Sequence, residues 1–127
     1  MTTPQDVERA VYARLRDMSG APSIVWEGTS GDPVLPRFEV RKLRDINETI
    51  SLDGATDHTS EVIVVVVAEE GTGAADTGAL YDLLWAEFPA GTQVGAGTVM
   101  RSVERGPTVI DGGEIRLTTS IRYRAIL

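Results

Sequence analysis

Apolar side chains at Val7, Ala10, Val11, Leu15 and Met18 recur every three or four positions, while Glu8, Arg9, Arg14, Arg16 and Asp17 take the other side. That spacing predicts an amphipathic helix of about four turns, buried along one face. Thr3 suits the N-cap, Pro4 the first helical position, and Asp6 the acid of a capping box beside the positive end of the helix dipole. Gly20 and Pro22 stop the helix. Ser23 to Glu27, centred on Ile24-Val25-Trp26, predicts a short strand, and the Gly/Pro-rich stretch from Gly28 to Pro36 a connection.

From Arg37 the period changes to two. Phe38 and Val40 alternate with Glu39 and Arg41, and Ile50 and Leu52 with Thr49 and Ser51, around the polar stretch Arg44 to Glu48. With the turn-rich Asp53-Gly54-Ala55-Thr56-Asp57-His58, this predicts a long β-hairpin with a solvated tip, returning through Ser60 to Ala68. The return arm holds Val62-Ile63-Val64-Val65-Val66-Val67, an unbroken β-branched run typical of a strand covered on both faces.

Helical spacing returns at Ala79, Leu80, Leu83, Leu84 and Phe88, capped by Asp76 or Thr77 and ended by Pro89 and Gly91. Two more strands follow, Thr98 to Arg105 and Glu114 to Ile126, joined through Gly106-Pro107 and Asp111-Gly112-Gly113. In the last strand Ile115, Leu117, Thr119, Ile121 and Tyr123 line one face, and Arg116, Thr118, Ser120, Arg122 and Arg124 the other. The order α-β-β-β-α-β-β predicts one α+β domain over residues 1–127. In it two helices pack on one face of a mostly antiparallel sheet of four to five strands with a long β-hairpin. Two short helices cover only one face of the valine run, so the other face calls for an oligomer contact.

Composition narrows the chemistry. Of 127 residues, 42% are hydrophobic and 24% charged, ordinary values for a globular domain, while 19 acids against 12 bases give a formal charge of −7. That charge disfavours coating nucleic acid or anionic lipid and favours protein partners. The absence of cysteine excludes disulfides and thiolate chemistry. The start Met1-Thr2-Thr3-Pro4-Gln5-Asp6 has neither the basic segment nor the apolar run of a signal peptide, so the chain reads as soluble and intracellular at synthesis.

Candidate chemistry is sparse. The single histidine, His58, falls in the predicted hairpin tip and reads as an exposed turn residue without an orienting partner. Asp53, Asp57 and Glu61 depart from calcium-loop spacing and read as solvated acids. Gly71-Thr72-Gly73 lies where a dinucleotide loop would lie, but Asp76 takes the third glycine position and Glu69 and Glu70 precede it, so a plain β-to-α turn is favoured. No enzyme, cofactor or metal is expected. The stripe of Arg116, Arg122 and Arg124 is either a solvated face balanced by Glu39, Glu61 or Glu104, or an oligomer contact together with Asp53, Asp57 and His58.

The C-terminal half carries Phe88-Pro89-Ala90-Gly91-Thr92, Ser102-Val103-Glu104-Arg105-Gly106-Pro107, Asp111-Gly112-Gly113-Glu114 and Ile121-Arg122-Tyr123-Arg124-Ala125. With these motifs it resembles the tail terminator-like proteins of long-tailed bacteriophages. The N-terminal helix and the strand Pro36 to Val40 fit the same plan in order and length. It implies a non-enzymatic virion protein made in the host cytoplasm. Such a protein forms a hexameric ring on the head-proximal end of the tail tube and stops tube polymerisation. It presents a head–tail joining surface, with partners among the tube, neck or head-completion and tape-measure proteins. Sequence-specific nucleic-acid and membrane binding are not implied. Two alternatives stand beside it: a head-side neck or head-completion protein, and a small ligand-binding α+β domain using Trp26, Tyr12, Tyr81 or Trp85.

Overall fold

The computed structural model describes residues 2–29, 34–50, 52–71 and 73–127. Helix α1 (Pro4–Arg16) opens with the expected capping box: Thr3 Oγ1 accepts from the Asp6 N–H at 3.3 Å, and the Thr3 N–H donates to Asp6 Oδ2 at 2.9 Å. Its stripe of Val7, Val11 and Leu15 is fully buried. The chain continues through β1 (Ser23–Trp26), β2 (Arg37–Thr49), β3 (Thr56–Glu69), α2 (Gly73–Glu87), β4 (Gln93–Val94), β5 (Gly97–Val99), β6 (Glu104–Asp111) and β7 (Glu114–Ile126).

The seven strands form one sheet in the order β1-β2-β3-β7-β5-β4, with β6 also on β7. The α+β reading stands, but the sheet has more strands than the expected four to five and is mixed, because β1 runs parallel to β2. The expected strand from Thr98 to Arg105 is two elements: β5 ends at Val99 and β6 begins at Glu104. Gly106-Pro107 is no joining turn; it lies inside β6, where the register slips between Arg105 and Thr108. Proline is tolerated there because β6 is an edge strand. The Asp111-Gly112-Gly113 turn holds, with both glycines at positive φ. Gly97 lets α1 approach closely, since a Cβ there would lie 2.7 Å from Val7 Cγ1.

The hairpin is longer and more regular than its polarity suggested. β2 and β3 pair from Arg37↔Val67 to Thr49↔Thr56, interrupted only by a bulge between Lys42 and Arg44. Arg44 to Glu48 and Thr56 to Ser60 are therefore strand, and the turn shrinks to the few residues between Thr49 and Thr56. His58 is the clearest correction: it lies in β3, not in the tip, and is 1% exposed.

Helix α2 begins at Gly73, which places Asp76 in its first turn and Thr77 just beyond it rather than at the cap; Thr72 lies outside the described residues. At its end the Phe88 N–H donates to the Leu84 carbonyl, and Thr92 Oγ1 donates to the Pro89 carbonyl at 2.7 Å. Gly91, at φ 92°, gives its N–H to the Val99 carbonyl. The motif thus turns the helix directly into the sheet.

Both helices contribute to a core with Phe38, Val40, Val62, Val64, Val66, Leu117, Ile121 and Tyr123 from the sheet. On the opposite face Ile63, Val65 and Val67 form a second cluster with Leu35. They are buried within a single chain, so the valine run does not by itself demand the partner expected for its second face.

Candidate assembly surface

The face without helices carries the arginine stripe. β7 pairs with β3 so that Arg122 lies opposite Glu61, Arg124 opposite Thr59 and Arg116 opposite Val67. Arg124 makes a bidentate pair with Asp57 (2.7 and 2.8 Å), an arrangement that fixes both side chains. Arg122 and Arg44 both reach Glu61 Oε2 at 3.2 Å. Arg116 bonds Glu39 and Glu114, which also receive the buried Arg37 at 2.8 and 3.1 Å. Glu39 and Glu61 thus balance the stripe, whereas Glu104 pairs with Arg101 instead.

Between the ion pairs stand exposed apolar residues: Ile46 on β2, Met100 after β5 and Ile126 at the end of β7. At the other end of the face a trough of about 580 Å³ lies over Val65, walled by Val25 and Trp26 on one side and Val109 and Asp111 on the other. Of the residues singled out from sequence, the structure brings Arg116, Arg122, Arg124 and Asp57 onto this one face. Asp53 sits in the hairpin turn, where it accepts from the Ala55 N–H at 3.4 Å. His58 projects to the opposite face.

Sequence reasoning missed the constellation around His58. The bulge after Lys42 shifts the facing of β2, so Asp45 and Asn47 join Lys42, Ser60 and Tyr123 on the helix side. Lys42 Nζ donates to Glu8 Oε2 (3.1 Å) and to the Tyr123 hydroxyl (3.3 Å), and contacts Asp45 Oδ1 at 3.0 Å. Ser60 Oγ donates to Asp45 Oδ1 at 2.6 Å, and His58 Nδ1 lies 2.5 Å from Asn47 Oδ1. Alternating polar residues on both hairpin arms, Asp45/Asn47 and His58/Ser60, were the available signal. Burial pushes the Tyr12 and Tyr123 hydroxyls up.

Burial alone would raise Asp45, but the Ser60 hydrogen bond and Lys42 outweigh it and hold the carboxyl below the usual range. Glu39 behaves alike: burial acts upward and the bonds from Arg37 and Arg116 pull it down further. A carboxylate lowered in the folded state stabilises it fully above its unfolded value of about 4, and that contribution fades as pH falls through the folded value. Melting temperature should therefore drop steeply below about pH 4. Asp45→Asn should start lower at neutral pH and fall less on acidification, as circular dichroism melts would show; parallel curves for both proteins would remove Asp45 from the acid response.

Of the aromatic residues considered for a ligand pocket, Tyr12 and Trp26 line one open groove with Arg9, Ala13 and Arg16, and Tyr81 and Trp85 lie apart from it. Tyr12 and Trp26 stack at 5.0 Å between ring centroids. Tyr81 donates to the Val103 carbonyl at 2.8 Å beneath the Arg105 guanidinium, and Trp85 is exposed.

No protein-family model and no curated protein matches the chain. Solved structures do. One, whose description carries no functional term, aligns with a TM-score of 0.70 at 21% identity over 99% of this chain and 97% of its own. Another, a chain from the virion of a native gene transfer agent particle, aligns with a TM-score of 0.60 at 13% identity over 97% of this chain and 96% of its own. At these identities the likeness establishes a shared fold.

Proposed function

We propose that the chain is a non-enzymatic structural subunit of a phage-like virion. In our reading it is a tail terminator: a sixfold ring of copies caps the head-proximal end of the tail tube, stops its growth and offers the surface that joins the head. The observation that carries the proposal is the fold shared end to end with a chain of a gene transfer agent virion. It is supported by the Phe88-to-Thr92 and Asp111-to-Glu114 motifs, which occupy the helix-to-sheet turn and the β6–β7 turn. The face that combines fixed ion pairs with exposed Ile46, Met100 and Ile126 suits contact with tube or neck proteins. A charge of −7 per copy suits a ring around a DNA passage, since like charge keeps the genome from adhering.

Electron microscopy of particles from which the gene has been deleted tests the proposal. Tails of uncontrolled length that fail to join heads are expected, with normal length restored by complementation. Tails of normal length joined to heads in the deletion, or wild-type particles that do not contain the protein, would overturn it.

A further inference from the structure

Besides the outer sides of the short end strands β1 and β4, two longer strand edges have no backbone partner among the described residues. β1 follows β2 only as far as Val40, and beyond the Lys42 N–H, which donates to Glu27 Oε2 at 3.0 Å, the outer side of β2 is open. β6 pairs with β7 along one side, and all eight of its residues are exposed.

The direction of the free groups follows from the ladder. The Ile50 N–H donates to the Ala55 carbonyl, so Ile50 turns toward β3. By antiparallel alternation Ile46 and Glu48 do the same, and Asp45, Asn47 and Thr49 aim their N–H and C=O groups outward. On the far side, the Met100 N–H donates to the Arg122 carbonyl, so even-numbered residues of β7 turn away from β3. Val109 and Asp111, opposite Arg116 and Glu114, therefore bond to β7, and Thr108 and Ile110 aim outward.

We propose that these edges pair between copies, the segment 44–47 of one protomer adding antiparallel to the segment 108–111 of the next. Asp45 then stands opposite Ile110 and Asn47 opposite Thr108, which matches outward groups to outward groups. Between them Ile46 meets Val109, each 53% exposed in the single chain, and Arg44 meets Asp111, opposite charges on one face. A slip of two residues places Arg44 opposite Val109 or Ile46 opposite Asp111, so the pattern selects one register. The pairing is bounded at both ends, by the Glu27 cap on Lys42 and by Pro107.

Because the two edges differ, each copy offers one and receives the other, a head-to-tail contact that closes into a ring when the rotation permits. Continuous pairing keeps the helices of every copy on one side of the joined sheet. The inference rests on the assembly of copies proposed above and names the surface that joins them.

The chain has no cysteine, so a designed pair reports cleanly. Full-length protein carrying Ile46→Cys and Val109→Cys, oxidised at high concentration, should give a ladder of covalent multimers ending in a closed species, since paired strands bring the Cα atoms within roughly 4.4–6.8 Å. Asn47→Cys with Val109→Cys places the thiols on opposite faces and should give no ladder. In the unaltered protein, exchange of the Asp45, Asn47, Thr108 and Ile110 amides should slow at least about tenfold on assembly. Rings seen by native mass measurement without the disulfide or the protection overturn the pairing and leave the ring standing. A chain that stays monomeric at every concentration and does not cross-link overturns both. Equal cross-linking of the two cysteine pairs overturns the register.

Discussion

Lys42→Ala should lower the stability of the isolated chain by about 3 kcal/mol, because it leaves Glu8 and Asp45 facing one another without their shared cation. Lys42 and Glu8 side chains are 16% and 18% exposed, which keeps water from replacing the lost contact; Asp45, at 40%, is partly screened and holds the figure down. The ammonium also lies 5.8 Å over the Tyr123 ring, in a fully buried part of the core. Lys42→Met keeps the packed stem and should recover about a third of the loss. Adding Glu8→Gln and Asp45→Asn to Lys42→Met should recover most of the remainder, because the uncompensated charge goes with them. Thermal melts decide: a Lys42→Ala protein that melts with the wild type would show that the cluster ties nothing together.

Phe88→Ala should have a larger effect, about 3–5 kcal/mol, the range for emptying a fully buried aromatic site. For a domain of this size that is a drop in melting temperature on the order of 10–20 °C. Phe88 closes α2, fills the core beside Leu84 and lies 5.8 Å under the Arg14 guanidinium, whose Nε donates to the Glu87 carbonyl at 3.0 Å. Its removal therefore loosens the α1–α2 contact as well as creating a void. Phe88→Leu should lose less than half as much. Should Phe88→Ala cost under about 1 kcal/mol, the motif would be a turn signal without a packing role.

Elements whose burial follows a single period were legible in the sequence. α1, β1 and β7 fall where their patterns placed them, and β3 does so from Ser60 onward, since each packs one continuous stripe or is buried on both sides. β2 was legible only to Arg41. Past the Lys42 bulge the alternation changes phase, and the helix-facing positions Asp45 and Asn47 are polar because they meet His58, Ser60 and Lys42 rather than aliphatic side chains. A buried histidine held by a polar neighbour on the next strand looks, in one dimension, like a turn residue. The ion pairs of the arginine stripe were foreseeable with Glu39 and Glu61, because cross-strand register follows from the β3 and β7 alternation; the choice of Arg101 for Glu104 depended on a loop that no period describes. The parallel placement of β1 was invisible, as a short strand carries no mark of direction.

The position of β7 beside β3 has a kinetic consequence. The valine-rich strand is synthesised well before its second neighbour, so Asp57 waits for Ile126 while all of α2, β4, β5 and β6 is made. Until β7 is made, β2 is the neighbour available to β3, and one β-branched edge is left without its partner. Contacts this distant in sequence make for slow folding, and an aliphatic strand with a bare edge is the segment most prone to pair with another nascent chain. Truncation before Glu114 should accordingly yield insoluble protein rather than a smaller folded domain, and yield should depend on how long the ribosome holds the unfinished sheet apart from its neighbours.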